Sequence, residues 1–105
     1  MDSKKARFMI SLSMKAGRIA AGSFAAENAV RTGKAALILV SQDASANTKK
    51  KFHDMAAYRH IPIHEFLTKE ELGALIGKGE RSSVVITDPG LAREIHRLFE
   101  ADVQE

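Results

Sequence analysis

Apolar and polar positions along the chain fall into alternating helical and extended segments. From Lys4 to Ala16 the spacing predicts a helix with Phe8, Leu12, Met9 and Ala16 on its inner side, ended by Gly17. A short turn follows. Ser23 to Thr32 reads as a second helix, entered through Gly22 and closed by Gly33. Its inward stripe is Ala26, Ala29, Val30 and Gly33, the i, i+3, i+4, i+7 pattern. Ala36 to Ser41 is a continuous apolar run of strand length, as expected for a strand covered on both faces. Asn47 and Thr48 are placed to cap a third helix running to about Arg59, with Phe52, Met55 and Ala56 inward. Ile61 to Phe66 reads as a short strand, and Pro62 puts it at an edge or at its own beginning. Thr68-Lys69-Glu70-Glu71 fits a capping box, and the helix it opens buries Leu72, Leu75 and Ile76 before Gly77. Ser82 to Thr87 is a further strand. Asp88, with Pro89 at the first helical position, starts a last helix that buries Leu91, Ile95, Leu98 and Phe99.

Helices and strands alternating in this way imply an α/β chain, a three-layer α/β/α sandwich with a small, mostly parallel mixed sheet. The chain has 105 residues, 45% of them hydrophobic, which suits one domain over residues 1–105 built on one core. There are no repeats or low-complexity tracts, and no linker is long enough to divide it. The absence of cysteine removes disulfides, thiolate metal sites and cysteine nucleophiles, and fits a reducing, cytoplasmic setting. Met1 to Arg7 is charged, and no apolar run reaches the length of a signal segment or a membrane span.

Charge changes the picture through its distribution more than its sum of +3. The segment Met1 to Lys34 carries a balance of +5, Ala35 to Thr87 one of +1, and Asp88 to Glu105 one of −3. A basic first third with an acidic tail points toward a polyanionic partner.

No constellation for catalysis accompanies that charge. Of His53, His60, His64 and His96, only His60 and His64 are four apart, and a proline-bearing strand start separates them. The helical His pair with an adjacent Glu that a metal site would show is missing, so no metal site is expected. Glu70 and Glu71 lie in a helix's first turn and Asp88 caps another, which accounts for them without acid–base work. Ala21-Gly22-Ser23 and Gly77-Lys78-Gly79-Glu80-Arg81 match neither a phosphate-binding loop nor a dinucleotide fingerprint; the second runs from helix to strand, the wrong order. No catalytic residue, metal or cofactor is assigned.

The second helix offers a binding surface instead. At 100° per residue, Phe24, Asn28 and Arg31 form a stripe nearly opposite the buried one. Free N–H groups at a helix start can hold a phosphate, an outward Phe can stack on a base, and Asn and Arg can read edges or neutralise backbone. The competing structural role is a Phe24 folded back as a local hydrophobic staple. Lys15 and Arg18 flank the turn before this helix, and Lys78 and Arg81 lie in the loop before the last strand. In a parallel sandwich these turns can cluster at one end and make a basic rim around the start of the second helix. Lys49, Lys50 and Lys51 point around an arc of about 200° and read as a solvated face.

Three blocks in order carry a family resemblance: Gly22-SFAAENAVRTGKAALILVSQDAS-Ala46, Asn47-TKKK, and Leu72-GALIG-Lys78. Together they resemble the kink-turn-binding ribosomal protein superfamily of the seven-Ae/thirty-e type, and within it the bacterial YlxQ-like branch, over about Leu12 to Leu98. The resemblance implies an α/β/α sandwich that binds RNA stems bent at a short bulge flanked by sheared G·A pairs. It implies that a Gly-x-Asn-Glu-x-x-Lys motif opens the second helix and that the loop after the fourth helix covers the bulged nucleotides. Gly22 matches the motif glycine, while Phe24 holds the Asn slot, Ala25 the Glu slot and Asn28 the Lys slot. Phe24 and Ala25 cannot reproduce hydrogen bonds to guanine, each worth about 1–3 kcal/mol of discrimination.

The expectation is therefore a non-catalytic RNA-binding protein of altered or relaxed specificity, able to serve in a ribonucleoprotein and free of any membrane. Gly22, Ser23 and Ala25 sit at the contacting helix start and Phe24 stacks. Asn28 makes a polar contact beside Arg31, and Lys15, Arg18, Lys78 and Arg81 neutralise phosphates. The second expectation is a protein-interaction module that keeps the fold and meets a partner through the Phe24 stripe or through Glu94, Glu100 and Asp102 of the last helix. An RNA-modifying enzyme has no residues behind it.

Overall fold

A computed structural model describes residues 3–103. Five helices, α1 (Ser3–Lys15), α2 (Ser23–Arg31), α3 (Ala46–Arg59), α4 (Lys69–Leu75) and α5 (Pro89–Val103), surround four strands, β1 (Ile19–Ala21), β2 (Leu37–Val40), β3 (Ile63–Glu65) and β4 (Ser83–Ile86). The strands form one sheet in the order β1-β4-β2-β3. The side chain of Asp102 lies outside the described residues.

Successive strand residues face opposite sides, so each central strand feeds two cores. Leu37, Leu39, Val84 and Ile86 pack with α1, α4 and α5 around Ala6, Ile10, Leu72, Ala92 and Ile95. Ile38, Val40 and Val85 pack on the other side with Ala26, Ala29 and Val30 of α2 and Phe52 and Ala56 of α3. The α/β class and the mixed sheet, with three of its four strands running in one direction, agree with the reading of the sequence. Because the reversed strand lies between two of the others, most pairings are nevertheless antiparallel. Only β2–β3 is parallel, whereas β1–β4 and β2–β4 are antiparallel. The reason lies in α4, too short to act as a crossover. The loop after it returns to where the helix began, the Arg81 N–H donating to the Lys69 carbonyl at 3.0 Å, and the next strand must run back against β2. β1 itself replaces the expected turn between the first two helices.

Three further details differ. In α1 the buried positions are Ala6, Ile10 and Ser13, while Phe8 is 66% exposed, and Leu12 and Ala16 are also exposed. Two apolar stripes compete on this helix, and the one carrying small Ala6 lets α5 approach closely. The buried Ser13 hydroxyl is satisfied by the Met9 carbonyl at 2.8 Å. Gly33 is exposed in a left-handed conformation just beyond α2, not on its inward stripe. The cap of α3 is Ser45, whose Oγ accepts from the Thr48 N–H at 3.1 Å. Elsewhere the local chemistry is as expected: Thr68 and Glu71 form the reciprocal capping box, and Asp88 Oδ2 accepts from the Leu91 N–H at 2.8 Å.

Candidate nucleic-acid interface

β1, β2 and β3 all run in one direction, so α2, α3 and α4 begin at the same end of the sheet. β4 starts there too, since Ser83 pairs with Val40. The positive ends of three helix dipoles thus open onto one side of the molecule.

α2 opens at Gly22, with φ of +92° and no side chain capping it. A residue with a Cβ is disfavoured in that conformation, and the lack of a cap leaves the first-turn N–H groups without a side-chain partner. The Gly22 N–H donates to the Ser83 carbonyl at 2.9 Å and clamps the helix start to β4. Arg81 lies against this turn: a Cβ on Gly22 would come 3.7 Å from its Cδ and Nε. Its Nη1 donates to the carbonyls of Gly79, at 3.1 Å, and Glu80, at 2.9 Å, so the guanidinium also braces its own loop. Beside it, Ser23 is exposed, Ala25 half-buried, and Phe24 stands out with 83% of its surface in solvent. The staple role for Phe24 is thereby excluded. Asn28 and Lys78 are exposed in turn, the first one helical turn further along α2, the second in the loop that carries Arg81.

The expected basic rim does not assemble as a whole. Arg18 sits at the opposite end of β1, where its carbonyl accepts from the Thr87 N–H at 2.9 Å, and Lys15 precedes it at the end of α1. Four strand steps, about 13 Å, separate Arg18 from Gly22. Arg31 is eight residues beyond Ser23, about 12 Å along α2. An antiparallel β1 carries the chain from one end of the sheet to the other, which a simple turn would not have done. Gly22, Ser23, Phe24, Ala25, Asn28, Lys78 and Arg81 therefore share one end and the side of α2 leading from it, while Lys15, Arg18 and Arg31 lie at the other.

Two residues that position this end were missing from the sequence reading. Gly73 meets the loop backbone, and a Cβ there would overlap the Gly79 carbonyl. A glycine inside a predicted helix is the signal for such a close approach. Asp43, in the loop after β2, accepts from the Lys69 N–H at 2.8 Å. That backbone hydrogen bond lowers the Asp43 carboxyl below its ordinary pKa. Asp43 and Arg81 thus both grip Lys69, one at its N–H and the other at its carbonyl.

The lysine run contributes little free charge. Lys49 pairs with Glu65 at 3.2 Å, Lys50 with Asp54 at 2.8 Å and Lys51 with Glu27 at 2.9 Å. The histidines gather near the β3 edge, where His64 Nε2 and His96 Nδ1 are 2.8 Å apart and His53 Nε2 lies 3.0 Å from Glu65. Among the described residues no group of three His, Asp or Glu side chains could hold a metal ion. No helix among them is long and apolar enough to cross a membrane.

The family described as ribosomal protein L7Ae/L30e/S12e/Gadd45 matches residues 4–96. The chain belongs to this family. Among curated relatives it is 36% identical to the RNA-binding protein YlxQ of Enterococcus faecium, over 92% of this chain and 93% of that one. It is 32% identical to the RNA-binding protein YlxQ of Bacillus subtilis (strain 168), over 88% and 92%. A solved structure of a protein of unknown function from Bacillus halodurans C superimposes with a TM-score of 0.87 at 30% identity, covering 91% of this chain and 97% of that one. The α/β architecture is thus that of an L7Ae-type protein. Both curated relatives are RNA-binding proteins by name, and the family description is of ribosomal proteins and Gadd45.

Proposed function

We propose that this chain is a non-catalytic RNA-binding protein, a single domain over residues 1–105 working in the cytoplasm, and that it grips structured RNA at the end of the sheet where α2 begins. The observation that carries the reading is the pairing of Phe24, 83% exposed, with an uncapped helix start that Arg81 touches. An aromatic ring, backbone N–H groups and a guanidinium within one turn are the elements that hold an unpaired base and its phosphate. Both YlxQ relatives are RNA-binding proteins by name, which supports RNA as the partner.

Gly22, Ser23 and Ala25 offer backbone N–H groups, Phe24 a stacking face, Asn28 a polar contact, and Lys78 and Arg81 phosphate neutralisation. Lys15 and Arg18, at the opposite end, are outside this contact. With Phe24 and Ala25 in the slots that would read guanine, recognition rests on stacking and charge, and the protein accepts kink-turn-like or ribosomal RNA with relaxed specificity. Titration against a bent stem, and against the same stem with its G·A pairs replaced, tests both parts. Comparable affinities are expected, falling with salt at a log–log slope of about −0.7 to −0.9 per phosphate contacted. Undetectable binding to both, or binding insensitive to salt, overturns the reading.

A further inference from the structure

Besides the Phe24 end, the α2–α3 layer carries a second aromatic in the open. Tyr58, in the last turn of α3, is 81% exposed. It borders a shallow groove of about 260 Å³ between the two helices, lined by Val30, Arg31, Asp54, Met55, Tyr58 and Arg59. The floor is apolar, from Val30 and Met55, and the walls are cationic. Arg59 lies over the Tyr58 ring, its Cζ 5.8 Å from the centroid. Arg31 reaches only 4.0 Å from Glu27, a carboxylate already held by Lys51 at 2.9 Å. Asp54 is neutralised by Lys50 at 2.8 Å. The groove therefore carries a surplus of positive charge in two guanidinium groups.

We propose that this groove is a second RNA contact, taking one unpaired base of a single strand that continues from the RNA held at Phe24. It rests on the function proposed above. The space falls below the roughly 300–1,000 Å³ of pockets that enclose drug-sized ligands, and suits a single ring system. A base on Tyr58 gains stacking from the phenol ring and from Arg59, and Arg31 faces the phosphate that follows. Arg31 lies on the same outward stripe as Phe24, about 10 Å along α2, a distance that roughly three stacked nucleotides span. Lys50 and Lys51, spent on Asp54 and Glu27, remove the acidic groups that would otherwise repel the strand between the two points. The occupant favoured by this charge is a nucleic-acid strand; an acidic peptide lacks the flat ring that the Tyr58–Arg59 stack receives.

The test uses the full chain and two fluorescein-labelled RNAs, a bent stem alone and the same stem extended on either strand by about six uridines, long enough to pass Arg31. On one of the two strands the tail is expected to strengthen binding roughly tenfold, the scale of one base stacked on an aromatic ring. Tyr58→Ala and Arg59→Ala each remove that gain while leaving the tailless stem unchanged, and Tyr58→Phe keeps it. A tail that gives no gain on either strand, or a gain that survives Tyr58→Ala, overturns this second contact. If Phe24→Ala still weakens the bare stem in that case, the function proposed above stands without it. If no RNA binds at all, both fall.

Discussion

The two ends of the sheet hold similar numbers of basic residues and are built differently. At one end, where three helices begin, Arg81 is braced by two carbonyls and pressed against the start of α2. At the other, Lys15 and Arg18 project from a helix end and a strand start, both exposed, and among the described residues no loop carbonyl braces either side chain. A count of charges does not separate these two groups. Preorganisation does: a guanidinium already held in place loses little freedom when a phosphate arrives, whereas a mobile lysine must be ordered first.

Equivalent changes at the two ends break or sharpen this contrast. The largest effect is expected from Gly73→Ala, because its Cβ collides with loop backbone that cannot swing aside. Denaturant unfolding is predicted to show a loss of about 1–3 kcal/mol, the cost of overpacking, and the displaced loop takes Arg81 with it, so RNA affinity falls too. Gly17→Ala at the far end meets open space but keeps a φ of +72°, and costs about 1 kcal/mol of stability with RNA affinity intact.

Next comes Phe24→Ala. Binding to a bent stem should weaken roughly tenfold or more, while unfolding stays within about 0.5 kcal/mol of the parent, as for an exposed side chain. A matching loss of stability would mean that Phe24 packs in solution. Arg81→Ala should lower affinity moderately and reduce the salt slope by about one phosphate contact, and Arg18→Ala should change neither. Equal effects from the two arginines, measured in the same titration series, would erase the distinction between the ends.

The smallest effect lies away from both ends. Burial, and then the neighbouring His96, depress the pKa of His64 below 6.5, with Glu100 opposing weakly; the ring stacks on Phe99 at 4.2 Å. The unfolded chain then takes up a proton near pH 6.5 that the folded chain resists, so stability falls as pH drops through that value and levels off below the folded pKa. Thermal melts between pH 8 and about pH 5 should show this decline, and His64→Phe should remove much of it by keeping the stack without the titration. RNA affinity at fixed pH should not respond to that substitution.

Most of the fold was legible because its elements carry strong local signals. The capping box at Thr68 and Glu71, the proline start at Pro89 and the unbroken apolar run of β2 each have one local interpretation. The misread pieces had two. In α1 the stripes through Phe8 and Ala6 are both apolar, and the choice is made by the partner helix, which local periodicity cannot register. β1 consists of Ile19, Ala20 and Ala21, all half-buried, too short for alternation to show. Its omission had a cost at the site, since the position of Arg18 relative to Gly22 depends on whether strand or turn lies between them. Phe24 was legible through helical phase alone. The approach of Arg81 to the start of α2 was also expected, but the hydrogen bond that clamps Gly22 to Ser83 was not, because it depends on the pairing of β1 with β4, a non-local fact.

The strands that border the sheet, β1 and β3, are three residues long each, and Pro62 stands immediately before the second. Each offers too few unpaired backbone groups to template strand addition from a neighbouring molecule. Copies of the chain are thereby kept from adding to one another's sheets, and the same short edges should let the protein be concentrated for spectroscopy without forming cross-β aggregates.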